Sequence, residues 1–113
     1  MTQSNITSAA EQSPAHTPAS ENPRLRLYIA RSTPNSVRAE FNLATVLQVI
    51  EGGAFSAFLE VIDVFSEPKR AITDGVVVTP TLICIASGRR AMLMGDLADL
   101  GLLQRTLQDV LNS

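Results

Sequence analysis

Sulfur and imidazole are scarce in this chain: Cys84 is its one cysteine and His16 its one histidine. One cysteine excludes an internal disulfide, a redox pair of thiols and a cysteine-built zinc site. Cys84 lies inside an apolar run, where a thiol is more often a small buried hydrophobe than a nucleophile. His16 lies among Pro, Ala and Thr with nothing to orient it, which argues against a catalytic or metal-binding role. Positive charge is not in excess either. Nine Lys and Arg stand against eleven Asp and Glu, a net charge of −2. A general nucleic-acid binder needs a basic face, so no nucleic acid is expected as a partner. No apolar run approaches the ~20 residues of a membrane-crossing helix, so no membrane is expected either. No basic stretch followed by an apolar one opens the chain, so no signal peptide is read and the expected localisation is cytoplasmic.

Enzymatic signatures are equally thin. No Gly-rich loop ends in Lys-Ser or Lys-Thr, so there is no phosphate-binding loop. The hydroxyls of Ser32, Thr33 and Ser36 have no histidine within the predicted domain to activate them. Asp63, Asp74, Asp96 and Asp99 are spread along the chain, where they cap helices or face solvent rather than pair for acid–base work. Neither a cofactor nor a metal is expected.

What is present suffices for one packed domain. Hydrophobic residues make up 45% of the chain and charged residues 18%, which allows a core. The apolar residues are not spread evenly. Residues 1–23 are rich in Ser, Thr, Ala, Pro, Glu and Gln, with Ile6 the only large aliphatic after Met1. Such a segment cannot bury enough surface to offset its ordering entropy, so it reads as a disordered tail. Residues 24–113 form the predicted domain.

Arg24 to Ala30 alternates and then turns apolar, which predicts a strand. Thr33 can cap a following helix and Pro34 suits its first turn. Val37, Phe41, Ala44, Leu47 and Ile50 recur at helical spacing and define its predicted buried face. Leu43, Val46 and Val49 widen that stripe, so the helix is expected to be covered on more than one side. Gly52-Gly53 stops it. Phe58 to Val64 predicts a second strand, parallel and buried on both faces. Ser66 is placed to cap a short helix from Pro68 to about Ile72. Thr81 to Ala86 is a third strand. Ser87-Gly88-Arg89-Arg90 reads as a hairpin turn and Ala91 to Met94 as the paired strand, ended by Gly95-Asp96. Leu100, Leu103, Leu107 and Val110 or Leu111 mark a final helix.

Between the short helix and the third strand stands Val76-Val77-Val78-Thr79-Pro80-Thr81-Leu82. Proline lacks an N–H and is tolerated at the first residue of a strand. On this stretch alone Pro80 fits an ordinary trans start or a cis bond. The element order β-α-β-α-β-β-α resolves the choice. It predicts an α/β, thioredoxin-like fold with a four-stranded mixed sheet, and such folds carry a cis-proline at this point. The loop where thioredoxins hold their thiols, Ala30 to Ser36, has no cysteine, so disulfide exchange there is excluded.

Leu27-Tyr28, Ala30, Thr33-Pro34-Asn35-Ser36-Val37-Arg38-Ala39, Val61 to Val64, Pro68, Thr79-Pro80-Thr81-Leu82 and Gly95-Asp96-Leu97 resemble the KaiB family of clock proteins. The match runs without gaps from about Leu25 to Leu111, and the block from Thr33 to Ala39 is its most specific part. The resemblance implies a non-enzymatic regulator that binds the hexameric ATPase KaiC and, in cyanobacteria, helps to sequester KaiA and displace an output kinase. It also implies an alternative ground-state fold, tetrameric, with a differently folded C-terminal half. Arg38, Arg89 and Arg90 become the candidate partner-binding residues. Thr33, Pro34, Asn35, Asp63, Thr79, Pro80, Gly95 and Asp96 become the structural motif. Many members carry Lys where Glu60 and Gly75 stand, and a basic residue where Met92 stands. These departures count against a KaiA partner and leave a KaiC-like one. Thr106 and Gln108 stand where many members carry Gly and Asp, which favours a C-terminal helix over Leu97–Leu111 and hence the thioredoxin-like form. That form is expected as a monomer or dimer rather than a tetramer. The rival readings are a thioredoxin-like sensor module that binds a histidine kinase and a thiol-dependent enzyme using Cys84.

Overall fold

The structure, a computed structural model, describes residues 23–111; His16 and the tail reading lie outside the described residues. Strand β1 (Arg24–Ile29) leads into helix α1 (Pro34–Val49) and a 3-10 segment (Glu51–Phe58). Then follow β2 (Leu59–Asp63), α2 (Pro68–Thr73), β3 (Thr81–Ala86), β4 (Arg89–Met94) and α3 (Leu100–Leu111). The sheet order is β2-β1-β3-β4, with β1 parallel to β2 and antiparallel to β3, and β3 antiparallel to β4.

The two-residue period of the central strands divides the core. Leu25, Leu27 and Ile29 of β1, with Leu82, Cys84 and Ala86 of β3, face α1 and α3. Tyr28 and Ile83 face the other way, with Ile62 of β2, and Ala71 of α2 packs against them. Helices therefore cover both faces, as the sequence predicts. The Thr79–Pro80 bond is cis. The Gly95 N–H donates to the Pro80 carbonyl at 2.9 Å, which ties the end of β4 to the proline.

Several local expectations are corrected. The buried face of α1 is Ser36, Ala39, Leu43, Val46, Leu47 and Ile50, whereas Val37, Phe41 and Ala44 are exposed. The helix carries apolar residues on almost every side, so periodicity alone could not choose the face that meets the sheet. Nor is it covered on a second side: Phe41 is 71% exposed and Val49 65%. Strand β2 is parallel but lies at the sheet edge with Val61 exposed, not buried on both faces. The chain before it coils into the 3-10 segment, where Gly52 and Gly53 adopt positive φ of 63° and 88° that glycine alone reaches cheaply. Thr33 holds the N-cap position of α1 without a side-chain cap bond, and Glu67, not Ser66, precedes α2. The hairpin turn is Ser87-Gly88 alone, at φ of 52° and 81°. Arg89 and Arg90 are strand residues rather than a turn tip. On α3, Leu103, Leu107 and Val110 are buried while Leu100 is exposed.

Candidate functional site

Strand polarity gathers the motif residues at one end of the sheet. Ile29 pairs with Asp63, Tyr28 with Thr81, and Thr81 with Met94, so the ends of β1, β2 and β4 meet the start of β3. The loop from β1 to α1 is closed by hydroxyls. The Thr33 N–H and Oγ1 both donate to the Ala30 carbonyl, at 3.1 and 2.8 Å. The Ala30 N–H donates to Oγ of the buried Ser36 at 3.1 Å. No cysteine stands in this loop: Cys84 is 1% exposed in the middle of β3, and burial pushes its thiol up to about 12.

Asp63 shapes the neighbouring turn. Its Oδ1 accepts the Phe65 N–H at 3.0 Å, and Oδ2 accepts from Ser66 and from Arg31 Nε at 3.4 Å. The Phe65 N–H bond, then Ser66 and Arg31, outweigh partial desolvation and hold this carboxyl below its ordinary value. Asp63 thus serves turn geometry. Pro34 opens α1 one turn before Arg38, whose guanidinium reaches Asn35 Oδ1 and, through Nε, Asp96 Oδ2 at 3.3 Å. Asp96 is held in turn, its carbonyl accepting from Asn42 Nδ2 at 2.9 Å and Oδ1 from the Ala98 N–H at 3.1 Å. Arg38 remains 55% exposed at its side chain. On the opposite face of the same end, Val64, Ala71 and Val76–Thr79 line a depression of about 250 Å³ beside the cis-proline. Val77 is 84% exposed there, and Phe65, Ile72 and Val78 are also exposed.

Arg89 and Arg90 do not join Arg38. They start β4 at the far end of the sheet and point to opposite faces. Arg89 donates to the Asp109 carbonyl of α3 at 3.2 Å, and Arg90 to the Asp74 carbonyl beyond α2 at 2.8 Å. The three candidate cations thus occupy three places rather than one patch.

A polar network absent from the sequence reading lies on the α2 side. The Tyr28 hydroxyl donates to Asp74 Oδ2, which also binds Arg26 NH1 at 2.9 Å. Glu60 holds Arg70 in a two-pronged pair at 2.6 and 2.8 Å. Desolvation pushes the Tyr28 hydroxyl up to about 12, with the Asp74 hydrogen bond and charge adding to it. Burial pushes the Asp74 carboxyl up, but bonds from Tyr28 and Arg26 and the charges of Arg26 and Arg90 outweigh it and leave the group below its ordinary value. The alternation Arg26-Leu27-Tyr28 placed Arg26 and Tyr28 on one face; the partner, 46 and 48 residues away, carried no local signal. Among the described residues no group of three His, Cys, Asp or Glu could hold a metal ion. No described helix is long and apolar enough to cross a membrane.

These features define a thioredoxin-like protein with a redox-silent loop. Solved thioredoxins share the fold at low identity. That of Trypanosoma brucei brucei matches with a TM-score of 0.64 at 17% identity, over 84% of this chain and 80% of its own. That of Fasciola hepatica matches at 0.62 and 15%, over 78% and 80%. The KaiB domain model matches residues 26–108. The circadian clock oscillator protein KaiB of Synechococcus elongatus is 40% identical over 92 residues, covering 75% of this chain and 88% of that protein. The corresponding protein of Gloeothece citriformis is 41% identical over 75 residues, covering 66% and 69%. The chain belongs to the KaiB family, in its thioredoxin-like form.

Proposed function

We propose that this chain is a non-enzymatic regulator that acts in the cytoplasm by binding a KaiC-like ATPase. One observation carries the reading. At the sheet end where a redox thioredoxin would hold its thiols, the chain presents exposed Arg38 on one face and exposed Phe65, Val77 and Val78 on the other. Exposed apolar side chains grouped around a depression are a feature of protein-docking surfaces, and arginine is among the residue types enriched at their energetic centres, so each face of this end offers a contact for a partner. The clock-protein name shared by its relatives supports a role in a clock system, and the KaiC-like partner is what the family resemblance implies. Burial of Cys84 counts against the thiol-enzyme reading.

The test is a titration of the protein against a KaiC homologue. Arg38→Ala should weaken binding about tenfold, equivalent to ~1.4 kcal/mol. The circular dichroism should not change, because an exposed pair such as Arg38–Asp96 contributes under ~1 kcal/mol to folding. Unchanged affinity would remove Arg38 from the interface. The same substitution at Arg89 and at Arg90 reports whether the far end of β4 shares the contact.

A further inference from the structure

Two aspartates at the motif end of the sheet repeat one arrangement. Asp63 ends β2 and Asp96 follows β4, so they mark the two outer strands, three strand spacings or roughly 14 Å apart. Oδ1 of each accepts the N–H two residues on, that of Phe65 at 3.0 Å and that of Ala98 at 3.1 Å. Such a bond fixes the carboxylate against its own turn. Oδ2 of each accepts Nε–H of an arginine from the stretch that leaves β1, Arg31 at 3.4 Å and Arg38 at 3.3 Å. The carboxylates are the sheltered members, 10% and 32% exposed at the side chain; Arg31, at 72%, is more exposed than Arg38.

The shape of the guanidinium defines what these tethered arginines still offer. On Arg38 a second N–H, from Nη2, goes to Asn35 Oδ1. Nη1 and Nη2 of Arg31 and Nη1 of Arg38 meet no acceptor among the described residues. The end of a guanidinium carries parallel N–H groups spaced for the two oxygens of a carboxylate. Holding Nε in the unbound protein also removes part of the ordering cost that a long side chain meets at an interface. Arg89 and Arg90, by contrast, are bound within the chain through Nη, the part of the fork that would face a partner.

We propose that Arg31 is a second partner-binding residue beside Arg38, that each arginine takes a carboxylate of the partner end-on, and that Asp63 and Asp96 are their positioning residues. Each aspartate offsets the charge of its arginine, so the contact depends on the shape of the fork more than on net charge. This inference rests on the regulator reading above.

The test uses the full chain and the same KaiC homologue. Arg31→Ala should weaken binding about tenfold. Arg31→Lys and Arg38→Lys should bind about as weakly as the alanine variants, because an ammonium keeps the charge and lacks the fork. Asp63→Asn and Asp96→Asn keep an Oδ1 acceptor for the turn and lose the charged one. Each should weaken binding about threefold, with no further loss when its own arginine is already alanine. A second readout needs no partner: the Nε–H NMR signals of Arg31 and Arg38 should stand apart from those of free arginine and collapse onto them in the matching Asn variant. Full affinity of Arg31→Ala or of either Lys variant, Asn losses that add to the alanine losses, or Nε–H signals that do not move would each overturn the proposal and leave the regulator reading standing. Absence of binding by the wild type would overturn both.

Discussion

At the residue scale, Tyr28 shows how one hydroxyl links distant elements. It is fully buried, yet its oxygen meets both Asp74 and the Arg70 carbonyl. Its folded pKa lies above the ordinary value of 10.0, so the folded state holds the proton longer. The associated stabilisation is present below pH 10 and is lost as the pH rises towards about 12. Tyr28→Phe should flatten that alkaline decline in urea titrations, and should cost about 1.5–3 kcal/mol at neutral pH because Asp74 loses a charge-assisted donor. Asp74 has the opposite sign. Its folded pKa is depressed, so its contribution is present at neutral pH and is lost as the pH falls below about 4. Asp74→Asn should flatten the acid limb. Cys84 gives a second residue-scale test. With its thiol pushed up to about 12 inside the core, iodoacetamide at pH 8 should label it only after denaturation. Rapid labelling of the native protein would mean that β3 opens readily.

At the element scale, α1 is the helix whose role packing decides. Leu43 is fully buried between the sheet and the neighbouring core residues, so Leu43→Ala should cost about 2–5 kcal/mol. Phe41 points to solvent, and Phe41→Ser should stay within about 0.5 kcal/mol of the wild type. Thermal melts of both variants check this face directly; a large loss on Phe41→Ser would restore the face predicted from the spacing of Val37, Phe41 and Ala44. The exposed stripe of α1 also differs in kind from the exposed residues beside Pro80. The latter surround a depression, whereas Val37 and Phe41 stand on a convex helix surface.

At the scale of the whole molecule, the C-terminal segment reports which architecture the chain adopts. In the structure Leu100–Leu111 is one helix, its Leu103, Leu107 and Val110 seated on the core. No Gly or Pro follows Gly101 within it, so propensity and packing agree. Amide NMR at low micromolar concentration should therefore give helical shifts from Leu100 to Leu111 in a monomer. Non-helical shifts there, in a tetramer by light scattering, would show that sheet pairing and subunit burial outweigh helix propensity of about 1 kcal/mol.

The sequence by itself determined what local chemistry controls. Alternation in β1, the apolar run of β3, helical spacing in α3, Pro80 at a strand start and Gly95-Asp96 after β4 each act within a few residues, so the order of elements and the mixed sheet could be read directly. The motif residues from Thr33 to Arg38 were legible for the same reason. Only the tertiary structure decided the rest. It chose the buried face of α1, whose apolar residues encircle the helix, and it set β2 at an edge rather than inside the sheet. It also sent Arg89 and Arg90 to opposite faces and joined Tyr28 to Asp74. These outcomes depend on register and on contacts between residues tens of positions apart, and no period within a segment records which distant segment will pack against it.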